Sequence, residues 1–378
     1  MEKLVKLWDW SKFLQDLEKP EHTILGLMSG TSADGLDIAN VTFKYEDNNL
    51  TFQIKKAVTV SYEKEFQKRI LESYDKRLAD VEYVTRINFE LARLHARMVK
   101  DLNLNFDFIA YHGQTVYHLP SEGATLQLGE ADVLAVELGK PVVFDFRKKD
   151  MALGGQGAPI SAYFDSLFLI RDEQTAVLNV GGISNITTLN SDGNLIAFDT
   201  GPGNCLVDLV CQKYFNVKYD VNGEISGQGN LDENLLKIFM EQDRVYAEKK
   251  PPKTTGREVY NDEFLNNALA KAGKIDYLDL LRTLVRFTAQ SIEKNIRLHA
   301  LQVKRLVVVG GGAYNRTLTN DLRDLGFEII VPDETLINFR EAIAIALLGE
   351  LFLRGLAHYS TVTGAIKPSV LGKLALPV

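Results

Sequence analysis

Two kinds of residue in this chain have the type and spacing to do chemistry on a phosphate or a sugar. The first is a carboxylate. Leu195 to Phe198 forms an apolar strand candidate that runs into Asp199-Thr200-Gly201-Pro202-Gly203-Asn204. A carboxylate on a rigid, glycine-containing turn can come within ~2.6–3.2 Å of a proton it abstracts, as a general base must. The plainer alternative is that Asp199 caps the helix that follows, with Asn204 and the rest of the turn structural. The second kind is a glycine turn after an apolar strand, and it occurs three times. Gly30-Thr31-Ser32-Ala33-Asp34-Gly35-Leu36-Asp37 is the tip of an expected β-hairpin, Gly181-Gly182-Ile183-Ser184-Asn185 is a second tip, and Gly310-Gly311-Gly312-Ala313-Tyr314-Asn315 follows a buried strand. Glycines allow close backbone approach and turn N–H groups bind anions. Thr31 and Ser32 add hydroxyl donors, and Asp34 and Asp37 can hold Mg²⁺ or its water shell beside a phosphate. Each turn alone is equally an ordinary Gly/Ser/Asp turn; together they suit one nucleotide, held at its phosphates and at its adenosine.

Other candidates are weaker by themselves. Phe106 to Tyr111 reads as a short strand whose exit carries His112-Gly113-Gln114-Thr115, the place where open α/β sheets put ligands. Val142 to Phe144 is another strand, leaving through Asp145-Phe146-Arg147. Arg147 is either a fork for a carboxylate or a surface charge beside Lys148 and Lys149. Glu341 precedes a nearly all-apolar helix and reads as an acid favoured by the helix N-terminus. The histidines have no metal spacing; His95, His299 and His358 fit surface or packing positions, and His112 alone belongs to a site. Walker A, complete GxGxxG, HExxH and GxSxG signatures are absent.

The elements that must position these residues occur in a repeated order. A glycine-tipped hairpin (Ile24 to Phe43), a further strand (Leu50 to Val60) and helical periodicity (Glu63 to Leu102) lead to the strand ending at Tyr111. A second hairpin (Ala176 to Leu189) and a helix (about Asp279 to His299) lead to Leu306-Val307-Val308-Val309. This predicts two related α/β domains with ligand between them. Leu153-Gly154-Gly155-Gln156-Gly157-Ala158-Pro159 marks a hinge. The expected domains are therefore 1–150, with 359–378 returning to it, and 151–358.

Composition bounds the rest. The 378 residues are 46% hydrophobic and 25% charged, with a formal net charge of −7. The acidic balance argues against nucleic acid or an anionic membrane as partner and fits a small anion. Cys205 and Cys211 lack disulfide or metal spacing, and no apolar run reaches the ~18 residues of a membrane span. The expected location is the cytoplasm.

The quoted motifs, in this order, resemble the anhydro-N-acetylmuramic acid kinase family of the sugar kinase, Hsp70 and actin ATPase superfamily. The likeness also takes in Asn179-Val180, Thr255-Gly256-Arg257-Glu258 and Glu341-Ala342, and spans nearly the whole chain. It implies two actin-like (ribonuclease H-like) α/β domains around a nucleotide-binding cleft, ATP with Mg²⁺, and a homodimer. It also implies a reaction in which Asp199 activates water to attack C1 of 1,6-anhydro-N-acetylmuramic acid while O6 takes the γ-phosphoryl group, a step of cell-wall recycling. On this resemblance Glu341 becomes a second acid at the sugar. His112, Gln114, Thr115, Asp145 and Arg147 line the sugar side with Gly201, Gly203 and Asn204, and Arg147 faces the lactyl carboxylate. The chain differs from many members in having Tyr111 for Ser, in residues 336–340, in Ile345 for Phe and in its amino-terminal extension. A kinase of another anhydro-sugar such as levoglucosan, or a nucleotide-gated binding protein on the same frame, are the alternative expectations.

Overall fold

The computed structural model describes residues 8–357 and 362–378, so His358 lies outside the described residues. The chain forms two compact α/β units, Met1–Phe164 with Phe339–Val378, and Asp165–Asn338.

In the first unit, β1 (Glu21–Ser29), β2 (Gly35–Glu46) and β3 (Asn49–Ser61) make an antiparallel meander. β4 (Phe108–Leu119) runs parallel to β1, and β6 (Val142–Phe144) parallel to β4. β5 (Ala124–Leu128) pairs with the far half of β4, and β12 (Lys373–Ala375) with β6. The second unit repeats this plan. β7 (Thr175–Val180), β8 (Ile183–Leu189) and β9 (Leu195–Pro202) form the meander, and β10 (Arg305–Val309) and β11 (Glu328–Ile330) continue the sheet in parallel. The orders β6-β4-β1-β2-β3 and β11-β10-β7-β8-β9 match strand for strand. The two units are thus copies of one actin-like, ribonuclease H-like frame.

Each unit has its own core, one including Leu25, Leu27, Ile38, Leu91 and Ile109, the other Leu178, Ile186, Phe239, Phe287 and Val308. The division falls at 164/165 and 338/339 rather than at 150 and 358, for a physical reason. The helix Glu334–Leu353 packs against the β1 side of the first sheet, so closely that a Cβ on Gly26 would lie 2.1 Å from the Ala342 carbonyl. The hinge expected at 153–159 therefore lies within the first unit. Cys205 and Cys211 are free and buried. Among the described residues, no helix is long and apolar enough to cross a membrane.

Candidate active site

The tip between β1 and β2 is a tight turn, closed by Ala33 N–H donating to the Gly30 carbonyl (3.0 Å). Side chains take up its other backbone oxygens. Gln114 Nε2 donates to Gly30 O (2.8 Å), Tyr74 Oη to Thr31 O (3.5 Å) and Gln67 Nε2 to Ser32 O (3.3 Å). Among the described residues nothing accepts from the N–H groups of Thr31 or Ser32, and both residues are exposed. Carbonyls held inward with N–H groups free is the arrangement an anion needs. Within the turn, Ala33 and Leu36 are fully buried core residues, so only their backbone can face a ligand. Ser32 Oγ donates to Asp34 (2.8 Å).

Asp37 accepts from Thr59 Oγ1 (2.5 Å). Burial pushes its carboxyl above the usual range, Thr59 opposes this, and the charges of Asp34 and Glu341 add to the rise. Among the described residues no group of three His, Cys, Asp or Glu side chains is placed to hold a metal ion by itself.

The second-unit turn is built differently. Gly203, Asn204 and Cys205 donate their backbone N–H groups to the carbonyls of Gly182 (2.9 Å), Gly181 (2.8 Å) and Gly182 (3.0 Å). A Cβ on Gly203 would stand 2.3 Å from the Gly181 oxygen, so glycine is obligatory there. Arg257 lies against Gly182, its guanidinium 3.2 Å from where a Cβ would be. Ser184 is wholly buried and spends its hydroxyl on Thr200, Gly201 and Pro202; it shapes the hairpin instead of presenting a hydroxyl. In the third loop, Gly310 (φ 74°) and Gly312 fit against Val180 where a Cβ would collide, and Gly311 is exposed. Asn315 caps the helix Arg316–Asp324 through Leu318 N–H (3.0 Å). Its side chain is thereby committed to the fold.

Asp199 lies inside β9, which continues past it to Pro202, opposite Asn185 of β8 beside a bulge at Ser184/Asn185. It caps no helix: its Oδ2 accepts from Thr255 N–H (2.9 Å), and among the described residues nothing bonds Oδ1. Its backbone is pinned by Lys253 O and by Tyr246 Oη, which donates to the Asp199 carbonyl (2.8 Å). Ser291 and Asn295, on the helix Tyr277–His299, hold the Thr200 carbonyl. Burial pushes the Asp199 carboxyl up to about 6; the Thr255 bond lowers it, Glu258 raises it and Lys253 lowers it. The Lys253 ammonium, itself pushed down to about 8 by burial, donates to the carbonyls of Tyr246 (3.1 Å) and Ala247 (3.0 Å). These supporting residues share no motif, so no sequence signal points to Tyr246 or Ser291.

The residues grouped on the sugar side separate in the first unit. Arg147 and Glu341 line one cavity of about 140 Å³ with Met28, Pro159, Ser161 and Ile345. Glu341 sits in the third turn of its helix, not at the N-terminus, which removes the dipole explanation of that acid. His112 and Asp145 line another cavity, of about 300 Å³, with Asn88, Tyr111, Gln127 and Glu130. Both His112 and Gln114 are within β4, which the sequence ended at Tyr111; Gly113 (φ 73°) bends the strand there and β5 pairs beyond it.

Arg147 joins the two cavities. Its Nε donates to His112 Nε2 (3.0 Å) and Nη1 to Gly157 O (2.7 Å). Burial lowers it to about 10, with Glu341 opposing, so it stays a cation at neutral pH. Burial and Arg147 push His112 down to about 3; it is a neutral acceptor. Asp145 is bonded by Lys373 (2.6 Å) and faces Lys148 (3.2 Å). Thr115 accepts from Gln127 (3.3 Å). Gln114 is buried and its amide is fully engaged, by Ser29, Gly30 and Tyr74, so its side chain holds the β1–β2 turn.

A duplicated actin-like frame, with an anion-ready β1–β2 turn in one unit and a half-buried, half-free carboxylate in the other, fits a phosphotransferase of the sugar-kinase kind. Comparison with known proteins narrows this. The family model described as anhydro-N-acetylmuramic acid kinase matches residues 22–377. Proteins of that name from Clostridioides difficile (strain 630) and Bacillus cereus (strain Q1) are 35% and 36% identical, covering 93% and 94% of this chain and 97% and 99% of their own lengths. The chain belongs to the anhydro-N-acetylmuramic acid kinase family and is an ATP-dependent kinase acting on a sugar. A solved structure, the activator of 2-hydroxyisocaproyl-CoA dehydratase from Clostridium difficile with bound ADPNP, overlaps loosely, with a TM-score of 0.42 and 15% identity over 87% of this chain and 95% of its own.

Proposed function

We propose that this kinase opens 1,6-anhydro-N-acetylmuramic acid with water and phosphorylates O6, giving N-acetylmuramic acid 6-phosphate and ADP. The observation that carries the reading is Asp199: a carboxylate locked at its backbone, bonded through one oxygen and raised to about 6. Such a group is ionised at neutral pH yet basic enough to take a proton from water. The Oδ1 atom accepts that proton as the water oxygen attacks C1 from the face opposite the bridge. The C1–O6 bond breaks, and O6 bonds the γ-phosphorus as the bond to the ADP oxygen breaks. This shares its base and water with inverting glycoside hydrolysis, while phosphorus takes the place of the general acid.

The free N–H groups of Thr31 and Ser32 bind the phosphoryl donor, with Gly181, Gly182 and Gly310 to Gly312 at the rest of the nucleotide. Asp34 and Asp37 would hold Mg²⁺ or its waters, a cation that neutralises charge on the transferring group. Glu341 meets sugar hydroxyls, and Arg147 pairs with the lactyl carboxylate. A cytoplasmic homodimer serving cell-wall recycling completes the reading.

Replacing Asp199 by Asn tests it. Turnover should fall by about 10²–10⁴-fold with ATP affinity unchanged; undiminished turnover would remove Asp199 as the base. One observation favours a second reading, in which the sugar lacks a carboxylate as levoglucosan does: Arg147 already spends two donors on His112 and Gly157. Arg147→Ala should raise KM for the acidic sugar about tenfold or more, the loss of a charge-assisted pair. An unchanged KM would favour the neutral sugar.

A further inference from the structure

A line of buried polar side chains leads from the interior of the first unit to the β1–β2 turn. Tyr111 Oη lies 2.8 Å from His95 Nδ1, His95 Nε2 lies 2.6 Å from Tyr62 Oη, Tyr62 Oη donates to Ser29 Oγ (2.8 Å), and Ser29 Oγ donates to Gln114 Oε1 (2.5 Å). Gln114 then donates to the Gly30 carbonyl. We propose that Tyr111, His95, Tyr62, Ser29 and Gln114 are positioning residues for phosphoryl transfer, a single hydrogen-bonded chain that holds the Gly30 carbonyl inward and so presets the turn for its anion.

The direction of every proton in this chain is forced. Gln114 faces a carbonyl with Nε2, so its Oε1 faces Ser29; the Gly35 carbonyl, 3.1 Å from Ser29 Oγ, is likewise only an acceptor, so Ser29 must donate, and the shorter contact, to Gln114, takes its proton. Ser29 then accepts from Tyr62, whose only proton is thereby used. Tyr62 must accept from His95, which places the ring proton on Nε2. Burial keeps this imidazole neutral, so Nδ1 carries a lone pair and accepts from Tyr111. All donors point toward the turn, and hydrogen bonds aligned head to tail polarise one another.

The chain is more than core satisfaction in two respects. It ends on the Gly30 carbonyl, Ser29 Oγ also faces the Gly35 carbonyl where the turn enters β2 (3.1 Å), and through Tyr74, which accepts from Gln114 (2.8 Å), it also reaches the Thr31 carbonyl. It also places a demand on a distant residue: a Cβ on Gly129 would lie 1.9 Å from Tyr111 Oη, so this tyrosine and that glycine are a matched pair.

The inference rests on the reading that the β1–β2 turn holds the phosphoryl donor, and the test separates the two. Tyr62→Phe deletes one hydroxyl while leaving the ring stacked on His95, at 5.8 Å and 17° between planes. It should raise KM for ATP about fivefold to tenfold, the worth of one net hydrogen bond, and leave KM for the sugar within about twofold. Tyr111→Phe, at the far end, should move the same constant in the same direction by less. Equal change in both KM values, or a lower melting temperature with neither KM altered, overturns the proposal. Thr31→Pro, made alongside, removes one of the turn N–H groups at the second position of the Gly30–Ala33 turn, where proline fits, and shows where the failure lies. If it raises KM for ATP while Tyr62→Phe does not, the turn binds ATP without help from the chain. If neither changes it, the phosphate role of the turn falls, and the proposal with it.

Discussion

The two hairpin turns occupy equivalent places in equivalent sheets, yet they are held by different means. The carbonyls of the β7–β8 turn are tied by the backbone N–H groups of the next turn, Gly203 to Cys205. The carbonyls of the β1–β2 turn are tied by side chains: Gln114, Tyr74 and Gln67. A backbone lock is insensitive to most side-chain changes and depends on glycine. A side-chain lock can be tuned residue by residue, and can be undone by deleting one atom far from the ligand. The unit with the backbone lock is also the one that carries Asp199, the half-buried carboxyl that burial raises to about 6.

The widest break in this comparison should come from Gly203→Ala. The added methyl meets a main-chain oxygen that no rotamer can move, so it should cost on the order of 1–3 kcal/mol of stability and abolish measurable ATP binding, checked by thermal unfolding and titration of the nucleotide. No single side-chain deletion around the β1–β2 turn should match it.

Asp199→Asn sharpens the contrast in stability as well as in rate. A carboxyl raised from its ordinary value of 3.8 to about 6 is harder to ionise in the folded state than in the unfolded one. Its ionisation therefore costs stability progressively from about pH 4 to 6, and the full cost remains above that. The Asn variant should melt higher than the parent at pH 8, and this advantage should disappear near pH 4. A carboxyl that the fold would be more stable without is what the proposed role of Asp199 as base leads one to expect.

The smallest effect belongs to Asn315→Ala. Loss of the cap should cost about 1 kcal/mol while KM for ATP stays unchanged. A raised KM for ATP would return Asn315 to the nucleotide site.

Much of the frame is legible in the sequence because each central strand is an unbroken apolar run and each hairpin tip is glycine-rich; Ala131–Leu138 and Val142–Phe144 fall where the pattern puts them. β4 runs on past Tyr111 although its second half is polar, because that half pairs with β5 and, at Gly113 and Gln114, with β1. Asp199 stands out as a carboxylate between an apolar run and glycines. What could not be read is what surrounds it: Tyr246, Lys253 and Ser291 come from three separate segments, and their roles depend on long-range packing. The same holds for His95, which reads as a surface or packing residue in the sequence and which the fold joins to Tyr62 and Tyr111. Gln114 and Ser184 show the converse. Their motifs mark them as important, but their side chains are consumed in holding backbone.

The central claim is that one turnover opens the anhydro bridge with water and phosphorylates the oxygen released. Turnover of ATP and 1,6-anhydro-N-acetylmuramic acid in ¹⁸O-labelled water, followed by mass analysis of the product, tests it directly. The expected product is a reducing sugar carrying one ¹⁸O at C1 and an unlabelled phosphate on O6. Label in the phosphate with the sugar unchanged, or a phosphorylated sugar with no label at C1, would contradict it.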